Sequence, residues 1–428
     1  VSSEFGATVC SSGDGNTLAV GAPGFDTGSP TGLGSDSGAV YVFTRLSSGG
    51  WLQRALLQPN PATTSARFGT SCALNFDGSL LVVGGPGDNN GMLSIQHLWP
   101  VYQTQNLPAS GAVWLFRRTA TGWPIDSYFK APNASAQDGF GTTVSMSDDG
   151  SLIAVGAPGE DGSGTGANPT SDDAAQDSGG VYIFLGGSSF PYAFLDYLKA
   201  PNTGAGDRFG SSLDIEFMRL VVGAPGESSA SAATPQDDSM PGSGAAYVFD
   251  RVSSGWQAPT YLKSPTPGLN DAFGSAVVNG STGVVVGVPY APTAELYVFD
   301  LASGSQPSQR IRWPSSDWGG FGLNLAAGVG RVAVGARTAL GLNQGRVLLY
   351  DCETPASSSC SLTATVQPSN LEDNDWFGTS IALSFDGLKL FAGAPGEDCA
   401  SSGLNGSQTD NSSVNSGALY EFITPAAP

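Results

Sequence analysis

Phe140-Gly141-Thr142-Thr143-Val144-Ser145-Met146, then Ser147-Asp148-Asp149-Gly150, then Leu152-Ile153-Ala154-Val155-Gly156-Ala157-Pro158-Gly159, is the stretch from which the fold can be read. The first run alternates as a half-buried strand does. Asp-Gly between apolar runs is a strong hairpin signal and predicts a type I′ turn, which needs positive φ. The second run is continuously apolar and stops at Pro, which cannot donate to a ladder. A variable loop leads to Ser178-Gly179-Gly180-Val181-Tyr182-Ile183-Phe184, a third strand. A weaker fourth follows at Tyr197-Leu198-Lys199.

The same order of signals recurs along the chain. Phe-Gly stands at Phe5, Phe68, Phe140, Phe209, Phe273, Phe321 and Phe377. Asp-Gly recurs at Asp14, Asp77, Asp149 and Asp386, and the Ser-Gly strand at Ser37–Phe43, Ser110–Phe116, Ser178–Phe184, Ser243–Phe249 and Ser416–Phe422. Four short strands per unit and one aromatic-glycine motif per unit predict an all-β, seven-bladed β-propeller of four-stranded antiparallel blades. One blade cannot bury both its faces, so residues 1–422 form one cooperative domain rather than the two or three that length suggests. Six outer strands are visible. Either the seventh blade has three strands or its outer strand lies outside this chain, because residues 423–428, a Pro/Ala-rich tail or linker, make a poor strand. The Phe of each Phe-Gly is expected to wedge between blades, and Gly and Ala to permit close backbone approach.

Composition agrees. The 428 residues include 60 Gly and 28 Pro, only 13% are charged, and the net charge is −20. An average chain has about 25% charged residues and about 7% Gly. So acidic a chain excludes nucleic acid and anionic membranes as partners. The apolar content excludes overall disorder. There is no apolar run long enough to insert in a membrane. Val1-Ser2-Ser3-Glu4 does not read as a signal peptide.

Phe-Gly followed by Val-Gly-Ala-Pro resembles the FG-GAP repeat, the blade unit of the integrin alpha-subunit N-terminal propeller, in the short subtype of extracellular proteins. The resemblance spans residues 5 to 422. It weakens at Gly287-Val288-Pro289 and Gly335-Ala336-Arg337. It implies a non-enzymatic extracellular or cell-surface interaction or adhesion module that binds a protein or glycoprotein partner, or other domains of a longer chain. The integrin calcium loops do not carry over, since the first-to-second turns here are too short for the six to eight oxygens calcium needs.

The acids have a pattern of their own. Of 37 Asp and Glu, 23 fall in second-to-third loops or inter-blade loops, which share one face. Asp138, Asp207, Asp271 and Asp375 each stand two residues before Phe, where a short acid fixes a turn. In the long loops an acid after Pro-Gly is matched by an Asp or Asn before Ser-Gly: Asp26/Asp36, Asp161/Asp177 and Asp398/Asn415. Together with Glu160, Asp172, Asp173, Glu397 and Asp410 they make candidate ligands for a structural calcium ion. The competing reading is a solvated acidic rim.

Cys352 and Cys360 are expected to close a local disulfide, which would imply an oxidising compartment. Cys10 and Cys72, with side chains counted to opposite faces, are expected as buried thiols. Asn133, Asn279, Asn405 and Asn411 head glycosylation sequons, at about the number chance supplies. The blade-two loop is apolar where the others are acidic. Leu93, Ile95, His97, Leu98, Trp99 and Tyr102 form a candidate partner-binding patch there. A lectin-like propeller is the alternative function, although Trp51, Trp123 and Trp256 recur at a scaffold-like position. A carboxylate-dependent glycoside-active enzyme is a third reading, without a visible nucleophile-base motif.

Overall fold

The computed structural model describes residues 3–26, 35–60, 63–91, 95, 106–170, 172–187, 191–280, 283–313, 320–338, 343–352, 359–370, 372–401, 403, 405–406 and 411–424. Blade one is β1 (Thr8–Ser11), β2 (Thr17–Ala22), β3 (Ala39–Arg45) and β4 (Trp51–Leu57). Blade two is β5 (Ser71–Leu74), β6 (Leu80–Gly85), β7 (Ala112–Arg117) and β8 (Ile125–Phe129). Blade three is β9 (Thr143–Met146), β10 (Leu152–Ala157), β12 (Gly180–Leu185) and β13 (Ala193–Lys199), with a short β11 (Gly166–Ala167) outside β13. Blade four is β14 (Ser212–Glu216), β15 (Arg219–Ala224), β16 (Ala245–Val252) and β18 (Thr260–Leu262), with β17 (Gly255–Trp256) closing a hairpin on β16. Blade five is β19 (Val277–Gly280), β20 (Gly283–Val288), β21 (Glu295–Phe299) and β22 (Gln309–Arg312). Blade six is β23 (Asn324–Gly328), β24 (Arg331–Ala336), β25 (Arg346–Cys352) and β26 (Cys360–Val366). Blade seven is β27 (Ser380–Leu383), β28 (Lys389–Ala394) and β29 (Ala418–Ile423).

Every ladder within a blade is antiparallel. The first strands touch in cyclic order, with β27 returning to β1, so seven blades close a ring. Blade seven has three strands among the described residues.

The second strand of each blade lies inside its sheet and between neighbouring blades. β2, β6, β10 and β24 are buried at every position. That accounts for their continuous apolar runs, since neither face meets water. Second strands also carry a glycine where the next blade presses closest. A Cβ on Gly21, Gly84, Gly156 or Gly223 would lie 1.9–2.2 Å from the carbonyl oxygen of the next blade's Phe-Gly glycine. Gly393 meets Gly6 O in the same way, at 2.0 Å, so the last blade joins the first through the repeated contact.

The phenylalanines wedge as expected. Phe68, Phe140, Phe209 and Phe377 are wholly buried. Each bridges a glycine of the preceding blade through its backbone, as Gly38 bridges Phe68. Each ring stands edge-on to the aromatic of its own third strand: Phe68 to Trp114, Phe140 to Tyr182, Phe209 to Tyr247 and Phe377 to Tyr420, at 5.2–5.7 Å. Such pairs add about 0.5–1.5 kcal/mol each beyond area burial.

Two expectations are corrected. The Asp-Gly turns are not type I′. Only Gly15, Gly78, Gly150 and Gly387 have positive φ, and their aspartates do not. The aspartate instead caps the turn, as Asp149 Oδ1 accepts from Ser151 N at 2.8 Å. The longer loop, with one left-handed Gly, is the other common hairpin solution.

Cys10 and Cys72 are not separate thiols but a disulfide joining β1 to β5, with Cα atoms 6.0 Å apart. Alternation along the first strands sends their side chains to opposite faces, which within one flat sheet would keep them apart. In a ring, one face of a blade looks at the opposite face of the next, so that alternation brings them together. Cys352 and Cys360 pair as expected, directly opposite each other on β25 and β26. Cys399 is outside both disulfides.

Candidate interaction face

In blades two, three, four and seven Pro ends the second strand, the chain turns, and the next residue but one is an acid. These acids do not join the rim. Asp88, Glu160, Glu227 and Glu397 are all 1–3% exposed. A buried carboxylate needs a counter-charge, and the fourth strand supplies it in three blades. Lys199 Nζ donates to Glu160 Oε2 at 2.6 Å and to Ser178 Oγ at 2.6 Å. Lys263 Nζ lies 2.5 Å from Glu227 Oε2 and 2.8 Å from Ser243 Oγ. Lys130 Nζ lies 3.5 Å from Asp88 Oδ1 and donates to Ser110 Oγ at 2.7 Å. All three lysines are buried, and that burial holds their ammonium groups below the usual lysine range against the pull of the acids. In blade five, Arg310 and Arg312 pair with the buried Glu295. So Glu160 and Glu397, expected as metal ligands, are anchors at the loop bases. The triads were not legible in sequence, although the recurring Tyr-x-Lys was their trace.

The bracketing pairs come together as expected, but as clamps. The carboxylate Oδ1 of Asp26 accepts from Asp36 N at 2.9 Å, Asp161 from Asp177 N at 2.7 Å, and Asp398 from Asn415 N at 2.7 Å. Asp36, Asp177 and Asn415 take left-handed backbone, which the clamp holds. Asp172 is exposed and accepts from Ser163 N and Oγ at 2.7 and 2.8 Å; Asp173 is exposed beside it. Among the described residues no three His, Cys, Asp or Glu side chains converge as a metal cage. As arranged, these residues do not fit calcium's need for six to eight oxygens. Asp410 lies outside the described residues, as do Leu93, His97, Leu98, Trp99 and Tyr102 of the apolar patch. Ile95 is half-buried and packs against the core of blades two and three.

The inter-blade acids fix turns as expected. Asp138 Oδ2 accepts from Ser135 N, Asp207 from Gly204 N and Asp271 from Gly268 N, each at 2.7 Å, and Asp375 from Glu372 N at 2.8 Å. Burial pushes Asp138 and Asp207 up to about 7, with neighbouring acids adding to the rise. Between pH 4 and 7 the folded protein therefore keeps two protons that the unfolded chain releases. Stability should fall as pH rises through that window, on the order of 4 kcal/mol per carboxyl across its whole width. Thermal unfolding from pH 5 to 8 reads this directly. Asp138→Asn with Asp207→Asn, which keeps the acceptor, should flatten the profile; an unchanged slope would reject the assignment.

What remains exposed on this face is acidic and locally apolar. Asp172, Asp173, Asp238, Glu372 and Asp373 are exposed. So are Leu269, Tyr290, Trp376 and Val414, between 38% and 68%. Trp51, Trp123 and Trp256 serve the scaffold, as their recurring position implies: Trp51 packs on Phe391, Trp123 is buried, and Trp256 packs on Phe249. Of the sequon asparagines, Asn133 donates to Glu160 and accepts from Tyr182 Oη, and Asn279 is buried. Asn405 and Asn411 are exposed.

The opposite end of the axis was not anticipated. A cavity of ≈ 310 Å³ there is lined by Asp148, Asp214 and Glu216 among apolar first-strand residues. Burial raises Asp214 to about 6 and Glu216 to about 7; Asp148 adds to both rises and Asp214 adds to that of Glu216.

The family model described as the FG-GAP repeat matches residues 196–249, from the fourth strand of blade three to the third strand of blade four. A comparison with curated proteins gave no match. Similar solved structures include hydrazine synthase of Kuenenia stuttgartiensis, at 13% identity and TM-score 0.51 over 92% of this chain and 94% of that one. Sqt1 of Chaetomium thermophilum is similar at 13% identity and TM-score 0.48, over 99% and 88%. At such identity the first supports the architecture alone. The matched repeat lies within a ring whose blades recur on the Phe-Gly frame, so the chain is a seven-bladed β-propeller that contains an FG-GAP repeat.

Proposed function

We propose that this propeller is a non-enzymatic interaction module that holds a cationic protein or glycoprotein partner on its long-loop face. The observation that carries the reading is the contrast within that face. Buried Lys–acid–Ser triads fix the loop bases, while exposed acids and a few exposed aromatic and aliphatic side chains stand above them. Loops on a rigid scaffold are where recognition concentrates. An acidic rim around apolar anchors suits a basic, partly apolar partner surface. Two disulfides support an oxidising, extracellular location.

The test is a binding screen against an array of secreted protein ectodomains, run at low and high salt with and without a chelator. Asp172→Lys with Asp173→Lys is the matched variant. The expected result is a basic partner whose affinity falls at least tenfold in the variant and steeply with salt. A chelator should change it little, given the clamps; a chelator-sensitive hit would bring calcium back. A glycan-array hit indifferent to the two aspartates would favour the lectin reading instead. Turnover of a glycoside panel would reverse the non-enzymatic one.

A further inference from the structure

We propose that the outer edge of β29 in blade seven is a docking site for an extended, lysine-bearing partner strand that completes the blade. Glu397 is the counterpart of Glu160 and Glu227 and is as deeply buried, at 3% exposed. Those two acids meet a fourth-strand lysine. Among the described residues no cation reaches Glu397, which takes hydrogen bonds from Asn370 Nδ2 at 3.0 Å and Tyr420 Oη at 3.1 Å. Among the described residues, the blade that lacks this counter-charge is also the blade that lacks a fourth strand.

Among the described residues no strand pairs with the outer edge of β29. In blade three the third strand, β12, is buried at five of six positions, whereas β29 is only half-buried from Ala418 to Phe422 and Ile423 is 70% exposed. Unpaired backbone on such an edge is a template for another strand.

Register specifies the occupant. Leu198 stands opposite Val181 and Tyr197 opposite Tyr182, so Lys199 continues past Gly180. Val181, Tyr182 and Gly180 correspond to Leu419, Tyr420 and Ala418 by their pairing with the second strand. The partner strand therefore runs antiparallel to β29 with an aromatic facing Tyr420, an apolar residue facing Leu419 and a lysine reaching Glu397. A second copy of β29, Ala-Leu-Tyr-Glu-Phe-Ile, has no cation to offer, so charge argues against an edge-to-edge dimer.

The probe is a labelled peptide with the sequence of residues 125–131, Ile-Asp-Ser-Tyr-Phe-Lys-Ala, the chain's own fourth strand from blade two. It sets a serine, not an acid, against Glu421. Fluorescence anisotropy should show saturable binding. Lysine-to-methionine replacement in the peptide should weaken it at least tenfold, and Glu397→Gln in the protein should remove that preference. Amide hydrogen exchange across Ala418–Ile423 should slow on binding, a readout independent of the Glu397 variant's folding. No binding at millimolar peptide, equal binding of lysine and methionine peptides, or a dimer whose exchange protection already covers β29 would each overturn the proposal.

Discussion

Replacing Lys199 by methionine is expected to lower the stability of the ring by about 3–5 kcal/mol, the range for removing one partner of a buried ion pair. The side chain is fully buried and its Nζ contacts Glu160 Oε2 and Ser178 Oγ, both at 2.6 Å. Methionine fills most of the volume, so the loss is electrostatic: Glu160, 2% exposed, would be left buried without its counter-charge. The double variant Lys199→Met with Glu160→Gln should recover much of the loss, because no charge is then left in the interior. Equilibrium urea unfolding of the four proteins of this cycle measures it. If Lys199→Met alone costs less than about 1 kcal/mol, the triad is not what anchors the loop base.

Gly223→Ala is expected to cost about 3 kcal/mol or more, at the severe end for overpacking. Its new Cβ would meet the carbonyl oxygen of Gly274 at 1.9 Å and Ser212 Oγ at 2.3 Å. The oxygen belongs to the next blade's backbone, so relief requires the blades to part. Gly50→Ala is the matching control, since nothing lies within 4 Å of the added atom, and it should stay within about 0.5 kcal/mol. Equal midpoints for the two variants in thermal melts would contradict the close packing of blades four and five.

The fold was legible because its signals are local and repeated. Phe-Gly, the turn glycine, the apolar run ending in Gly-Ala-Pro and the Ser-Gly strand each act within one or two strands, and seven copies leave little ambiguity. Even the gap in blade seven is visible as a strand-poor tail. The candidate face was legible only in part. Acids such as Asp138 and Asp207 announce their turn role by position, and the bracketing pairs announce that they meet. That their carboxylates are taken by Asp36, Asp177 and Asn415 amides depends on backbone geometry no spacing encodes.

By itself, then, the sequence determined the ring, its number of blades and which loops share a face, since short-range hydrogen bonding and burial periodicity suffice for those. Tertiary structure decided which acids remain exposed and which are buried against lysine. It also decided that Cys10 meets Cys72 across a blade boundary, and that Glu397 faces an open edge. The reason is common to all three. They depend on what the neighbouring blade or the fourth strand places opposite a residue, and that partner lies tens of residues away along the chain.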